Sequence, residues 1–171
     1  MVIYGKITEK NFSLASMDGF DGRQQVTRCW RRREGRWALV PAAYVDDSAP
    51  DAGTVLDALR AGDPAFGAWE EGKLVGLALL TKDRFGSVGQ YVDLAEFYVS
   101  RPFRRRGIGE RLFALACQGA RELGAKKLYI SAHSAQESIA AYRKYGCVEA
   151  EEIYWPLAEK EPCDVQMEYG L

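Results

Sequence analysis

Three consecutive arginines, Arg104-Arg105-Arg106, run straight into Gly107-Ile108-Gly109. A basic, glycine-bearing turn at a helix start suits a phosphate-rich ligand. Free backbone N–H groups point outward, the helix dipole favours anions, and glycine lets the main chain come close. The spacing Arg104-x-x-Gly107-x-Gly109 belongs to neither common nucleotide loop: it lacks Gly-Lys-Ser/Thr, and the dinucleotide fingerprint needs three glycines at another spacing. Two acids, Asp93 and Glu96, interrupt the apolar run Tyr91–Val99 just upstream. A carboxylate there can act as a general base. Tyr142 follows downstream; with an ordinary pKa of about 10 it is protonated at neutral pH.

These residues need elements to position them. Tyr91–Val99 reads as a strand, with Pro102 placed to stop it. Ile108, Leu112, Leu115, Ala116, Gly119 and Leu123 fall on one helical stripe, and Gly124 supplies the stop. Ala125–Ser131 reads as the next strand. Ser134-Ala135-Gln136-Glu137 fits a capping box that opens a helix through Ile139 and Tyr142, ending at Tyr145-Gly146. Cys147 onward looks extended.

The N-terminal half is less strongly patterned. Met1–Thr8 predicts a strand and Asn11–Gly22 a loop. Gln25–Val40 predicts two strands around Glu34-Gly35, and Ala42–Pro50 a loop. Thr54–Ala61 predicts a short helix stopped by Gly62. Phe66–Trp69 and Leu74–Leu80 predict a hairpin around Glu71-Gly72, and Val165–Tyr169 alternates like a closing strand. Two strand–helix units within a mixed pattern predict an α/β (α+β) sandwich around a twisted sheet.

In this arrangement the chain resembles the GNAT superfamily of N-acetyltransferases. The matching pieces are Val99-x-x-x-x-Arg104-x-x-Gly107-x-Gly109, the long helix after it, and Tyr142-x-x-x-Gly146-Cys147, over roughly residues 66–148. The chain departs from the family pattern in two places. Ser134 and Ala135 stand where the family often has an asparagine, and Cys147 replaces an aromatic residue. The resemblance implies a twisted, mixed, mainly antiparallel sheet flanked by helices in a single domain, 1–171. It implies acetyl-CoA as cosubstrate, with pyrophosphate on the turn and pantetheine beside the end of the preceding strand. The cofactor-binding residues would be Phe97, Tyr98, Val99, Arg104, Arg105, Arg106, Gly107, Ile108, Gly109 and Glu110, mostly through main chain. The simpler reading of the arginines is a solvated basic loop.

The implied reaction is acetyl transfer to an amine by direct attack. Neutralising an alkylamine of pKa about 10 at pH 7 costs roughly 4 kcal/mol, which a carboxylate can offset by taking the proton. In a regular strand Asp93 shares parity with Ala95, Phe97 and Val99, and Glu96 with Leu94 and Tyr98. A bulge, which similar acetyltransferases carry here, would shift that parity. Relatives place a catalytic acid at either position; Glu96 is preferred because it adjoins the motif, the alternative being a carboxylate paired with an arginine. Tyr142 matches the tyrosine that protonates the coenzyme A thiolate in many relatives. Otherwise it is a core residue beside Ile139 and Tyr145, and Tyr145 is the substitute acid.

Composition narrows the remaining classes. At 171 residues, 47% hydrophobic and 27% charged, with a net charge of −1, the chain suits one domain with its own core. Near-zero charge argues against a nucleic-acid or membrane partner. No apolar run reaches the ~18 residues of a membrane span. Met1–Lys6 lacks the layout of a signal peptide, so a cytoplasmic protein is expected. The four dispersed cysteines and lone His133 offer no metal spacing. His133 reads as an ordinary loop histidine. The cluster Arg28, Arg31, Arg32, Arg33 and Arg36 reads as a solvated sheet face rather than a nucleic-acid patch. Asp46 and Asp47 could meet a cationic substrate. The expected acceptor is a small-molecule or peptide amine, and an exposed C-terminal strand could support a homodimer. A non-catalytic acyl-CoA sensor and a nucleic-acid-binding domain are the alternatives.

Overall fold

The computed structural model describes all residues, Met1–Leu171. Nine strands and four helices follow in the order β1 (Val2–Ile7), β2 (Gln24–Arg33), β3 (Arg36–Asp46), α1 (Ala52–Ala61), β4 (Ala65–Glu70), β5 (Lys73–Leu80), β6 (Tyr91–Val99), α2 (Ile108–Glu122), β7 (Lys127–Ala132), α3 (Gln136–Tyr145), β8 (Val148–Glu149), α4 (Trp155–Lys160) and β9 (Val165–Gly170). Seven strands form one sheet in the order β1-β4-β5-β6-β7-β9-β8, while β2 and β3 form a separate ribbon. Only β6 and β7 pair in parallel. Parallel pairing needs a long crossover, and α2 provides it.

Apolar cover lies on both faces of the sheet. One face packs Phe66, Ala78, Leu80, Val92 and Leu94 against Ile108, Leu112, Phe113 and Ala116 of α2. The other packs Ile7, Leu74, Leu77 and Leu79 against Val55 and Leu56 of α1. This explains why β5 reads as an unbroken apolar run rather than an alternating one. Close packing fixes Gly119 on α2, where an added Cβ would stand 2.6 Å from the Phe66 ring. The buried stripe of α2 includes Phe113, Cys117 and Ala120. Leu115 and Leu123, expected in it, are only partly buried against the same core.

Several boundaries depart from expectation. β3 continues through Pro41 to Asp46, where a loop from Ala42 was predicted. Pro41 is tolerated because the ribbon has only two strands, with a register shift between Val26 and Arg28 opposite it. The segment between β8 and β9 holds α4, which the sequence did not signal. The predicted capping box does not form. Ala135 is the N-cap of α3 and no side chain caps it. Ser134 is instead occupied by the ribbon: its Oγ accepts from Arg31 Nη1 at 2.6 Å, and its carbonyl accepts from Trp30 N–H at 2.8 Å. The C-terminal strand is not a free edge, because β9 lies between β7 and β8. The four cysteines are free. No helix is long and apolar enough to cross a membrane.

Candidate active site

The central feature is a gap in the sheet. β6 pairs with β7 only at Tyr91–Lys127, Val92–Leu128 and Asp93–Tyr129. Beyond these, β6 stays bonded to β5 alone and β7 to β9 alone. The two strands splay into a V, and the edge of β6 from Leu94 to Val99 faces an open cleft. The closed end is fastened: Lys127 Nζ lies 2.7 Å from Glu168 Oε1, and the Tyr91 hydroxyl donates to the same carboxylate.

A bulge sets the carboxylates within this cleft. Leu79 opposes Glu96 and Leu80 opposes Leu94, so Ala95 is the extra residue, and it is exposed in mid-strand. The inserted residue reverses parity and turns Asp93 and Glu96 toward one side. Asp93 is only 7% exposed. Burial, and then the charge of Glu96, push its pKa up to about 7. No protein group hydrogen-bonds its carboxylate, and no enclosed side-chain polar atom lacks a partner, so its oxygens reach the cleft. Glu96 is half-buried, and that burial also raises its pKa to about 7, against the opposing pull of Lys160 on α4.

The turn closes the open end of the V. Gly107 takes φ +78° as the N-cap of α2 and Arg105 takes φ +61°. The first bond into the helix is Arg111 N–H to Gly107 O at 3.2 Å, and no backbone carbonyl accepts the N–H groups of residues 105–110. An added Cβ at Gly107 would meet nothing within 4 Å, so this row of donors is open to a ligand. Two shallow hollows of about 270 and 370 Å³ flank it along α2, the first also lined by Lys144 and Tyr145 of α3.

The side chains of the turn are mostly committed elsewhere. Arg104 donates from Nε to Val99 O and from Nη2 to Gly22 O, each at 2.9 Å. Arg106 makes a two-pronged pair with Glu70 at 3.1 and 2.6 Å and lies over the Phe103 ring. Arg105 alone is exposed without such a partner. Ile108 points into the core at 1% exposure, so only its N–H faces the turn. Glu110 is exposed and stands 3.8 Å from Lys144.

α3 forms the roof. Tyr142 is half-buried, 5.9 Å from the Phe97 ring centroid. Desolvation drives its pKa well above the usual phenol range, with Cys147, Tyr98, Tyr145 and Asp164 nearby. Tyr145 instead stacks on Phe113 at 4.8 Å. Sequence reading flagged Asp46 and weighed His133 but left the rest of one further wall undetected. Ser131 Oγ donates to Asp164 Oδ2 at 3.0 Å, and burial pushes Asp164 up to about 6. His133 Nε2 lies 3.8 Å from Asp46 and 3.4 Å from the Tyr44 hydroxyl. The Tyr98 hydroxyl lies 3.2 Å from Ser48 Oγ. Asp164 carries no local signal; only its pairing across the sheet brings it here.

The description "Acetyltransferase (GNAT) family" fits residues 27–147, more than half the chain. The chain belongs to the GNAT family. Among solved structures, nourseothricin acetyltransferase is 19% identical with a TM-score of 0.73, covering 99% of this chain and 98% of that one. A protein of Bacillus anthracis str. Ames assigned as a streptothricin acetyltransferase, in complex with acetyl coenzyme A, is 14% identical with a TM-score of 0.70, covering 98% and 96%. Aminoglycoside 6'-N-acetyltransferase complexed with coenzyme A is 15% identical with a TM-score of 0.55, covering 70% and 78%. At these identities the likeness establishes the GNAT fold. No curated protein matches by sequence.

Proposed function

We propose that this GNAT protein transfers the acetyl group of acetyl-CoA directly to a primary amine of a small molecule or peptide. The observation that carries the reading is one cleft with an open row of backbone donors at its mouth and, inside, the buried carboxylate of Asp93 beside the half-buried one of Glu96. The donors of residues 105–110 suit a pyrophosphate. The edge of β6 that no strand covers at Phe97–Val99, apart from the Val99 carbonyl that Arg104 occupies, suits the amides of pantetheine, and Lys144 stands ready for a further phosphate. When bound, acetyl-CoA supplies a thioester carbonyl.

The chain's own residues do the rest. Glu96 takes the proton of the acceptor ammonium, directly or through water, and frees the nitrogen lone pair to form the new N–C bond as the C–S bond breaks. A carboxylate with pKa near 7 is poised for this at neutral pH. Asp93 sits behind it and holds its own proton through burial and the charge of Glu96. Tyr142 keeps its proton and can give it to the departing sulfur, while the second proton shed by the nitrogen as it becomes an amide leaves through water and makes good the one Tyr142 gives up. The relatives named above act on antibiotics that their names specify, and this supports a small-molecule acceptor.

Calorimetric titration with acetyl-CoA tests the reading. The wild-type protein should bind in the micromolar range, and Gly107→Trp should weaken binding at least about tenfold. Acetyl-CoA turnover with an amine panel should follow. Binding without any turnover would favour an acyl-CoA sensor, and no binding would end the acetyltransferase reading.

A further inference from the structure

Three strand ends meet where the V opens: Asp46 closes β3, Ser131 and Ala132 close β7, and Asp164 precedes β9. Asp46 retains 14% of its side-chain exposure and has His133 as its one ion-pair contact, with the Arg104 guanidinium acting on it from further away. Asp164 is held by the Ser131 hydroxyl. Neither meets a lysine or arginine in an ion pair. His133 Nδ1 accepts the Ala135 N–H at 3.2 Å, so a neutral ring carries its proton on Nε2, toward Asp46. The Tyr98 hydroxyl feels the charges of Glu96, Asp46 and Asp164 together, which puts all three carboxylates around one space. Asp93, nearly buried and unpartnered, faces the same cleft. Against these four acids stand Lys160, exposed at the end of α4, His133, and Arg104, which reaches Asp46 only at longer range because two main-chain carbonyls hold it. Such a cleft focuses a negative field on whatever enters it.

One amine does not need so many acids. The nitrogen that attacks must shed its charge, and Glu96 and Asp93 suffice for that. An anionic pair further out does nothing for a neutral nitrogen; it holds one that stays charged. We propose that the acceptor is a dication, with one nitrogen acetylated beside Glu96 and a second held as an ammonium between Asp46 and Asp164. Past the last pair, Asp93–Tyr129, Glu96 on β6 and Ser131 on β7 stand about level across the opening of the V, so the two nitrogens would be separated by the width of the cleft. A short aliphatic spacer between the two nitrogens bridges that width. This inference rests on the acetyltransferase reading and names its substrate class.

The test is a set of matched amines: putrescine against butylamine, and cadaverine against pentylamine, compared by kcat/KM. Each diamine should exceed its monoamine at least about tenfold. Asp46→Asn and Asp164→Asn should each shrink that ratio several-fold, with unchanged thermal melts certifying the fold. Equal kcat/KM within the pairs, or a ratio untouched by both substitutions, would overturn the inference and leave the acetyltransferase reading standing. Were no amine turned over, that reading would fall instead. Calorimetric affinities of the same pairs for the coenzyme A complex, in wild type and both variants, would then decide the dication site alone.

Discussion

Asp93 and Glu96 hold their protons more tightly than exposed acids because the cleft offers few dipoles to solvate a charge. For Glu96 the consequence is kinetic. With acetyl-CoA saturating, kcat should rise as pH climbs through about 7. Glu96→Gln should remove that limb and lower the rate about 10²–10⁴-fold. A variant that kept the limb would transfer the base role to Asp93. For Asp93 the consequence is thermodynamic. Its folded pKa is raised to about 7, above the ~3.9 of an unfolded chain. The stability it lends is complete below the lower value and is lost as pH rises through the upper one. Asp93→Asn should therefore raise Tm relative to wild type more at pH 8 than at pH 5, by about 4 °C or more. Equal Tm changes at the two pH values would show that Asp93 ionises at no cost.

The turn between β6 and α2 is held by one arginine and leaves another idle. Arg104 bonds two carbonyls from distant chain segments, whereas Arg105 touches solvent. Hydrogen bonds from a charged donor contribute about 1.5–3 kcal/mol, so Arg104→Ala should lower Tm by several degrees and Arg105→Ala by almost nothing. Comparable melts for the two variants would contradict the assignment. This division of labour was not legible in the sequence, where the three arginines look alike, because the partner Gly22 lies 82 residues away. Local demands read well. Gly62 and Gly146 stop their helices at φ +91° and +100°, and Glu34-Gly35 turns the ribbon as expected, since left-handed backbone is a local preference. β6 matched its predicted bounds for a similar reason, a dense apolar run. The six-residue α4 has no room for a periodic stripe, and the Ser134 cap lost to a partner from the ribbon. Asp93 and Glu96 were visible as candidates, but their common side depended on a bulge imposed by β5. Asp164 depended on pairing between strands far apart in sequence.

At the scale of the whole molecule, the seven-stranded sheet is clamped at the closed end of the V by Tyr91, Glu168 and Lys127. The β2–β3 ribbon stands apart. It joins the rest through the Cys29–Ala135 bridge, Trp30 N–H to Ser134 O, Arg31 to Ser134, Trp37 to Glu149, Ser138 to Gln24, the contacts of Tyr44 and Asp46 with His133, and the Arg143 guanidinium over Trp30. Its fully buried apolar residues are only Val26 and Cys29, which cluster with Ala135, while the half-buried Trp30 and Trp37 rest on the edge of the main core. Regions with few buried contacts open at a fraction of the global unfolding free energy. Amides of residues 24–46 should thus exchange with deuterium well before those of residues 91–99. Matching protection in the two segments would make the ribbon part of the core's cooperative unit. Since Asp46 and Tyr44 ride on that ribbon, the side of the cleft proposed to hold the acceptor would open more readily than the β6 side. A bulky amine could enter by lifting it, at no expense to the sheet that aligns the chemistry.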